Sequence, residues 1–229
     1  MPDWRGCNVS DYAFTLCGAQ MSARADGALW WPHLRLLCVS DLHLGKSERI
    51  ARRSGTLLPP YETRETLWKL EEAINQTNPQ TIICLGDSFD DINAANAIDD
   101  EMRTVLVRLQ AGRQWVWIEG NHDPGPVDLG GTHKAELSLG PLMFRHITEA
   151  GAHGEVSGHF HPKAAIAGAT RKPCFLLDQA KLILPAFGVY TGGLSVRHDV
   201  LADLMAPNAL AILTGRIATP VPLAACLKR

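Results

Sequence analysis

No stretch of the 229 residues stays apolar for the roughly 18 positions that a membrane helix needs, so no bilayer-spanning segment is expected. Net charge is nearly absent too. The 22 basic and 24 acidic side chains leave −2, which excludes a uniformly basic nucleic-acid binder and leaves room for a local basic patch. The six cysteines (Cys7, Cys17, Cys38, Cys84, Cys174 and Cys226) contain no C-x-x-C pair, so neither a zinc ribbon nor a thioredoxin motif is indicated. A disulfide framework is not expected in a chain of this length. Cys38 and Cys84 lie in apolar runs and read as small buried hydrophobes of a reduced, cytoplasmic protein. The opening MPDWRGCNVSDYAF carries Asp3 and Asp11 and no apolar signal core, so export is not expected. Repeats, low-complexity tracts and linkers are also missing, and residues 1–229 read as one domain.

What is present first is a rhythm. ALWW (28–31) and LRLLCVS (34–40) read as strands. Pro59 and Pro60 then open a helix whose stripe is Leu67, Leu70, Ala73 and Ile74. TIICLGDSFDD holds a second buried strand. DINAANAIDDEMRTVLVRLQAG is a second helix, with Asp90 or Asp91 as a natural N-cap and Gly112 after its end. QWVWIEGNHD holds a third strand. Apolar strand, polar loop and helix in succession predict a parallel sheet with crossover helices, and ligands in such sheets sit at the carboxyl ends of the strands. From about residue 140 the segments PLMFRH, GEVSGHFHP, AAIAG, CFLLD, KLILPAFG and NALAILTG are short and turn-rich. They predict a second, mainly antiparallel sheet facing the first, with helices outside both.

The polar residues at the strand exits are the chemical signal. They are Asp41 and His43, Gly86-Asp87, Gly120-Asn121-His122-Asp123, His146, and His159 with His161. Strand alternation would point Asp41 and His43 the same way. A lone D-x-H is ordinarily a surface ion pair, and a lone Gly-Asp ordinarily a turn. Gathered at one edge, so many acids and imidazoles call for a partner cation. Mixed oxygen and imidazole donors suit Mn, Fe, Zn, Ni or Co rather than calcium. Seven candidate ligands exceed what one ion takes, so two ions with one bridging carboxylate are expected.

The order D-x-H, GD, GNHD, H, GHxH resembles the calcineurin-like metallophosphoesterases. A narrower resemblance links SDLHLGKSERIARRSGTLLPPYETRETL, GDSFDD, SGHFHPKA and LILPAFGVYTGGL to the bacterial PdeM-type, ligase-associated DNA damage response phosphoesterases, which are endonuclease-like. The resemblance implies a four-layer α-β-β-α sandwich with two facing mixed sheets and flanking helices. It implies that Asp41, His43 and His161 hold one metal, that Asn121, His146 and His159 hold the other, and that Asp87 bridges them. His122 would stand near the leaving-group oxygen, with Asp123 orienting His122 or its loop, and Asp90 or Asp91 would support the ligands. His146 is followed by Ile147-Thr148, where related sequences often carry a proline two residues on. His153 is therefore a rival, and His146 is favoured because it ends a strand. The resemblance also implies a DNA repair setting, with a DNA ligase or helicase as associated partner.

The chemistry that follows is hydrolysis of a phosphoester, most naturally a phosphodiester of nucleic acid or a nucleotide. Manganese is the leading metal, with Fe, Zn, Ni or Co as alternatives. A water shared by ions ~3.5–4 Å apart would lose a proton near neutral pH and attack as hydroxide, and a protonated His122 would act as general acid. A phosphomonoesterase or small-nucleotide hydrolase would use the same site, and an interaction module that has lost catalysis would share the fold. A metallo-β-lactamase-type hydrolase is disfavoured because no HxHxDH run occurs. The basic run Lys46, Arg49, Arg52, Arg53, with Arg64, would either steer a nucleic-acid backbone or form a solvated helix face. Trp30, Trp31, Trp115 and Trp117 read as core rather than base-stacking platforms. His33, His133 and His198 carry no motif. PAFGVYTGGL (185–194) would lie over the cleft or at a subunit contact.

Overall fold

The computed structural model describes residues 9–46, 61–91, 98–126, 128–166 and 169–227. Arg49, Arg52, Arg53, Pro59 and Pro60, and residues 92–97 of the second expected helix, lie outside them. The first sheet runs in sequence order: β1 (Tyr12–Leu16), β2 (Ala19–Ala23), β3 (Leu29–Trp31), β4 (Leu36–Val39), β5 (Thr81–Leu85), β6 (Gln114–Ile118) and β7 (Thr132–Lys134). Its parallel half, β4 to β7, is wound by α1 (Tyr61–Thr77) and α2 (Asp100–Gln110). Its other half is antiparallel, because the Cys17-Gly18 hairpin and the turn before β3 reverse the chain. The expected parallel sheet with crossover helices is β4 to β7, and β1 to β3 add an antiparallel half to it.

The second sheet comprises β8 (Glu136–Leu139), β9 (Leu142–Arg145), β10 (Glu155–Ser157), β11 (Lys163–Ala164), β12 (Lys172–Leu177), β13 (Lys181–Ile183), β14 (Leu210–Leu213) and β15 (Thr219–Pro222). The order is β15-β14-β12-β13-β10-β9-β8, with β11 on β12. Its centre is parallel, since β9 and β13 both run with β10. The sheet is otherwise antiparallel, as expected, and its parallel centre has a consequence: the exits of β9 and β10 fall side by side.

Side-chain alternation sorts the layers. Leu36, Cys38, Ile83, Leu85, Val116 and Ile118 face Phe144, Val156, Phe175 and Leu182 in a shared core between the sheets. Their neighbours Leu37, Val39, Ile82, Cys84, Trp115 and Trp117 face Leu67, Leu70 and Ile74 of α1 and Leu106 of α2. On the far side Leu176, Ile183 and Ala211 meet α3 (Asp199–Leu204) and α4 (Leu223–Leu227) through Leu201 and Leu223. This is the four-layer α-β-β-α sandwich. Each fully buried Leu or Phe contributes about 1.5–3 kcal/mol. The four tryptophans are core, as expected. Helix α2 is capped by Asp99, whose carboxylate accepts from Met102 N at 2.7 Å, rather than by Asp90 or Asp91. Among the described residues no helix is long and apolar enough to cross a membrane.

Candidate metal centre

The strands end before the polar residues begin. β4 stops at Val39, and Asp41 and His43 have φ of 55° and 47°. Asp87 (45°), His159 (69°) and His161 (45°) share this left-handed backbone, which costs a non-glycine residue roughly 1–2 kcal/mol. Strand alternation therefore does not orient Asp41 and His43. They are held by a second ladder beyond the sheet: Asp41 N donates to Gly86 O (3.2 Å), His43 N to Asp87 O (3.0 Å) and Leu44 N to Ser88 O (2.9 Å). Left-handed residues concentrated at one edge mark a site whose surroundings over-determine it. Gly158 shows how tight the packing is: a Cβ there would overlap the Ser40 hydroxyl and lie 2.6 Å from Asp41 Oδ2.

Three groups of donors converge at this edge among the described residues; two carry the ligands expected from the sequence, and the third, His43, Asp90 and His122, shares His43 with the first of them. In the first, His161 Nε2 is 3.1 Å from Asp41 Oδ1 and 3.3 Å from His43 Nε2. His43 Nδ1 faces the Asp90 carboxylate at 3.2 Å, so Nδ1 carries the proton and Nε2 offers a lone pair. In the second, His146 Nε2 lies 3.0 Å from Asn121 Oδ1, 3.3 Å from Asp87 Oδ2 and 3.3 Å from His159 Nδ1. His146 Nδ1 is 3.2 Å from the Leu85 carbonyl, which only accepts, so here too Nε2 carries the lone pair of the neutral ring. The groups adjoin, with His146 Nδ1 3.9 Å from Asp41 Oδ1.

His122 stands at the opening. Its Nδ1 donates to Asp90 O at 2.9 Å, its backbone N donates to Asp87 Oδ1 at 2.8 Å, and its Nε2 is 4.0 Å from Asp87 Oδ2. Asp123 does not touch His122. It accepts from Ser88 N (2.8 Å), Phe89 N (3.2 Å) and Gly120 N (3.1 Å), and so fixes the backbone that carries Asp87 and Asn121.

Charge follows this geometry. Burial would raise Asp87, but its hydrogen bond to His146 and that ring's charge hold it down to about 2. Burial lowers His146, and Asp87 and Asp41 more than reverse this, so its basicity is raised. Burial and the neighbouring His146 lower His159. Burial, together with the charge of Asp87, pushes Asp123 up to about 6 against its backbone donors.

The residues fit a pair of divalent cations. Asp41 Oδ1 is buried and makes no well-formed hydrogen bond; its near neighbours are the ring nitrogens His161 Nε2 at 3.1 Å and His146 Nδ1 at 3.9 Å, an expensive setting for a carboxylate oxygen without a cation. Around His146 Nε2 stand two side-chain oxygens and a ring nitrogen: Asn121 Oδ1, Asp87 Oδ2 and His159 Nδ1. A cation satisfies such a set, whereas a proton satisfies one partner at a time.

Every position named from the sequence, Asp41, His43, Asp87, Asn121, His122, Asp123, His146, His159 and His161, lies in this neighbourhood. His153 does not. It lies 3.5 Å from Cys17 Sγ, away from these groups. Arg64 pairs with Glu101 at 2.8 Å on the exposed helix surface. Sequence reasoning missed Ser40, whose hydroxyl meets Asp41 Oδ2, and Thr63, whose hydroxyl receives Gly45 N at 2.9 Å. Serine and threonine are too common for either to carry a signal.

Fold and site together define a class: a metal-dependent phosphoester hydrolase built on a β-sandwich edge. The sequence model of the calcineurin-like phosphoesterases matches residues 34–177, and the chain belongs to that family. Among solved structures, the chain is similar to the Pseudomonas putida nuclease MPE, with 29% identity and a TM-score of 0.72 over 92% of this chain and 100% of that one. It also matches YfcE, a phosphoesterase from E. coli, with 15% identity and a TM-score of 0.38 over 69% of this chain and 83% of that one. No curated protein matches.

Proposed function

We propose that this enzyme is a dinuclear phosphodiesterase that cleaves nucleic-acid or nucleotide diesters. The observation that carries the reading is the convergence of metal-ligating side-chain atoms around His146 Nε2 and Asp41 Oδ1. Likeness to a nuclease over 92% of the chain supports the substrate class. It also accords with the narrower resemblance to PdeM-type phosphoesterases, on which a DNA repair setting and a ligase or helicase partner rest.

Asp41, His43 and His161 would hold one ion, and Asn121, His146 and His159 the other, with Asp87 between them. Manganese suits this donor set. Two divalent ions there would supply an acidified water and positive charge for the phosphoryl oxygens. Asp90 keeps the His43 ring in the tautomer that presents Nε2, and Leu85 O does the same for His146. His122 spends Nδ1–H on Asp90 O, which leaves Nε2 at the opening to deliver a proton to the departing oxygen. Asp123 keeps the Asp87 and Asn121 loops in register.

The test is metal-stripped protein with Mn²⁺ restored, given bis(p-nitrophenyl) phosphate, p-nitrophenyl phosphate and labelled DNA side by side. Cleavage of the diester and of DNA is expected. Diester cleavage without DNA cleavage would restrict the substrate to nucleotides. A monoester preference would replace the reading with a phosphatase, and no turnover with any metal would replace it with an interaction module.

A further inference from the structure

The segment 185–194 binds the ligand loops from behind. Phe187 N donates to Ser40 O (2.7 Å) and Gly188 N to Asp41 O (3.1 Å). Leu194 N donates to Phe160 O (3.1 Å), and Lys163 N returns to Leu194 O (2.8 Å). One strap thus grips the backbone on both sides of the first donor group, Asp41 and His43 at one end and His161 at the other. The fit is close: a Cβ at Gly188 would overlap Leu42 O, and one at Gly193 would overlap His161 O.

Three ammonium groups hold the strap down. Lys69 Nζ donates to Phe187 O (2.9 Å) and lies 3.9 Å from the centre of the Phe187 ring. Lys46 Nζ donates to Tyr190 O (3.0 Å) and Lys163 Nζ to Thr191 O (2.9 Å). Helix α1 adds Thr66, whose hydroxyl receives Val189 N at 3.1 Å. A hydrogen bond from a charged donor is roughly twice as strong as a neutral one, and three such bonds converge on five residues of backbone.

We propose that Lys46, Lys69 and Lys163 are positioning residues: their ammonium groups lock the 187–194 strap, and the strap sets the loops that carry Asp41, His43 and His161. This rests on the reading that those three side chains hold a metal. Lys69 shows why the arrangement is not for stability alone. Burial lowers its basicity to about 8, so holding it charged works against the fold. A methionine of similar length would remove that cost and also remove the tie.

The experiment measures Mn²⁺ binding by calorimetry on full-length Lys69→Met, Lys163→Met and Gly188→Ala, with melting temperature, kcat and KM for bis(p-nitrophenyl) phosphate. Asp41→Asn is the control. The expected result is wild type with two ions, and Asp41→Asn and all three variants weakened at the same one of them. For the lysine variants the loss should be about tenfold or more, the scale of ligand-supporting residues, with Lys69→Met melting no lower than wild type. Wild-type metal affinities with a raised KM would overturn the proposal and make the lysines substrate contacts. Parallel loss of both ions and of melting temperature in every variant would overturn it as mere destabilisation. If Asp41→Asn itself leaves both ions in place, the metal assignment has failed rather than the strap.

Discussion

Asp87 uses both carboxylate oxygens: one lies 3.3 Å from His146 Nε2, and the other accepts from His122 N at 2.8 Å. Asp87→Asn should therefore weaken both ions and lower turnover by at least ~100-fold, beyond the loss typical of residues that only support a ligand. Metal content and bis(p-nitrophenyl) phosphate hydrolysis check this, and surviving activity would remove Asp87 from the bridging position. His122→Ala separates binding from proton transfer. It should keep two ions and lose about 10²–10⁴-fold in rate, most for poor leaving groups, as read from a series of aryl diesters. At this scale the sequence is legible because acids and imidazoles at the ends of apolar runs are costly unless partnered. The left-handed backbone of Asp41 and His43 is not legible, since it depends on a ladder to Gly86, Asp87 and Ser88, more than 40 residues away. The sequence leaves Asp123 open between His122 and the loop for the same reason, as two of its three donors, Ser88 N and Phe89 N, come from distant backbone.

Helix α1 does two things with one face. Leu67, Leu70, Ala73 and Ile74 pack on the sheet, and this stripe is readable from spacing. Thr63, Thr66 and Lys69, three residues apart, reach the Gly45 and 187–189 backbone, and spacing alone cannot tell such a row from a solvated edge. Lys69 also gives a pH signature. Burial lowers its amine to about 8 from an ordinary 10.5, with the charge of Asp26 opposing. Between those values the unfolded chain binds a proton that the folded chain does not, so raising the pH through that window stabilises the fold. Below about 8 both states are protonated and the full penalty is present. The melting temperature of wild type minus that of Lys69→Met should rise from pH 8 to 10. A difference independent of pH would contradict the burial argument. The parallel centre of the second sheet escaped the sequence because β9, β10 and β13 are only three or four residues long and no helix-period segment announces their crossovers.

For the whole molecule, the parallel strands β4, β5 and β6 of one sheet and β9 and β10 of the other bring their carboxyl ends to one edge, and every candidate donor comes from a loop at that edge. The apolar layers behind it hold that edge rigid, with Phe144 and Phe175 fully buried between the sheets. Ions bound only by the folded chain add to its stability by mass action, so chelation should lower the melting temperature and Mn²⁺ should restore it. The most direct measurement is stoichiometric titration of Mn²⁺ into metal-stripped protein while following bis(p-nitrophenyl) phosphate hydrolysis. A dinuclear centre predicts a rate that climbs to a plateau at two equivalents per chain. A plateau at one equivalent, or hydrolysis that ignores the metal, would contradict it.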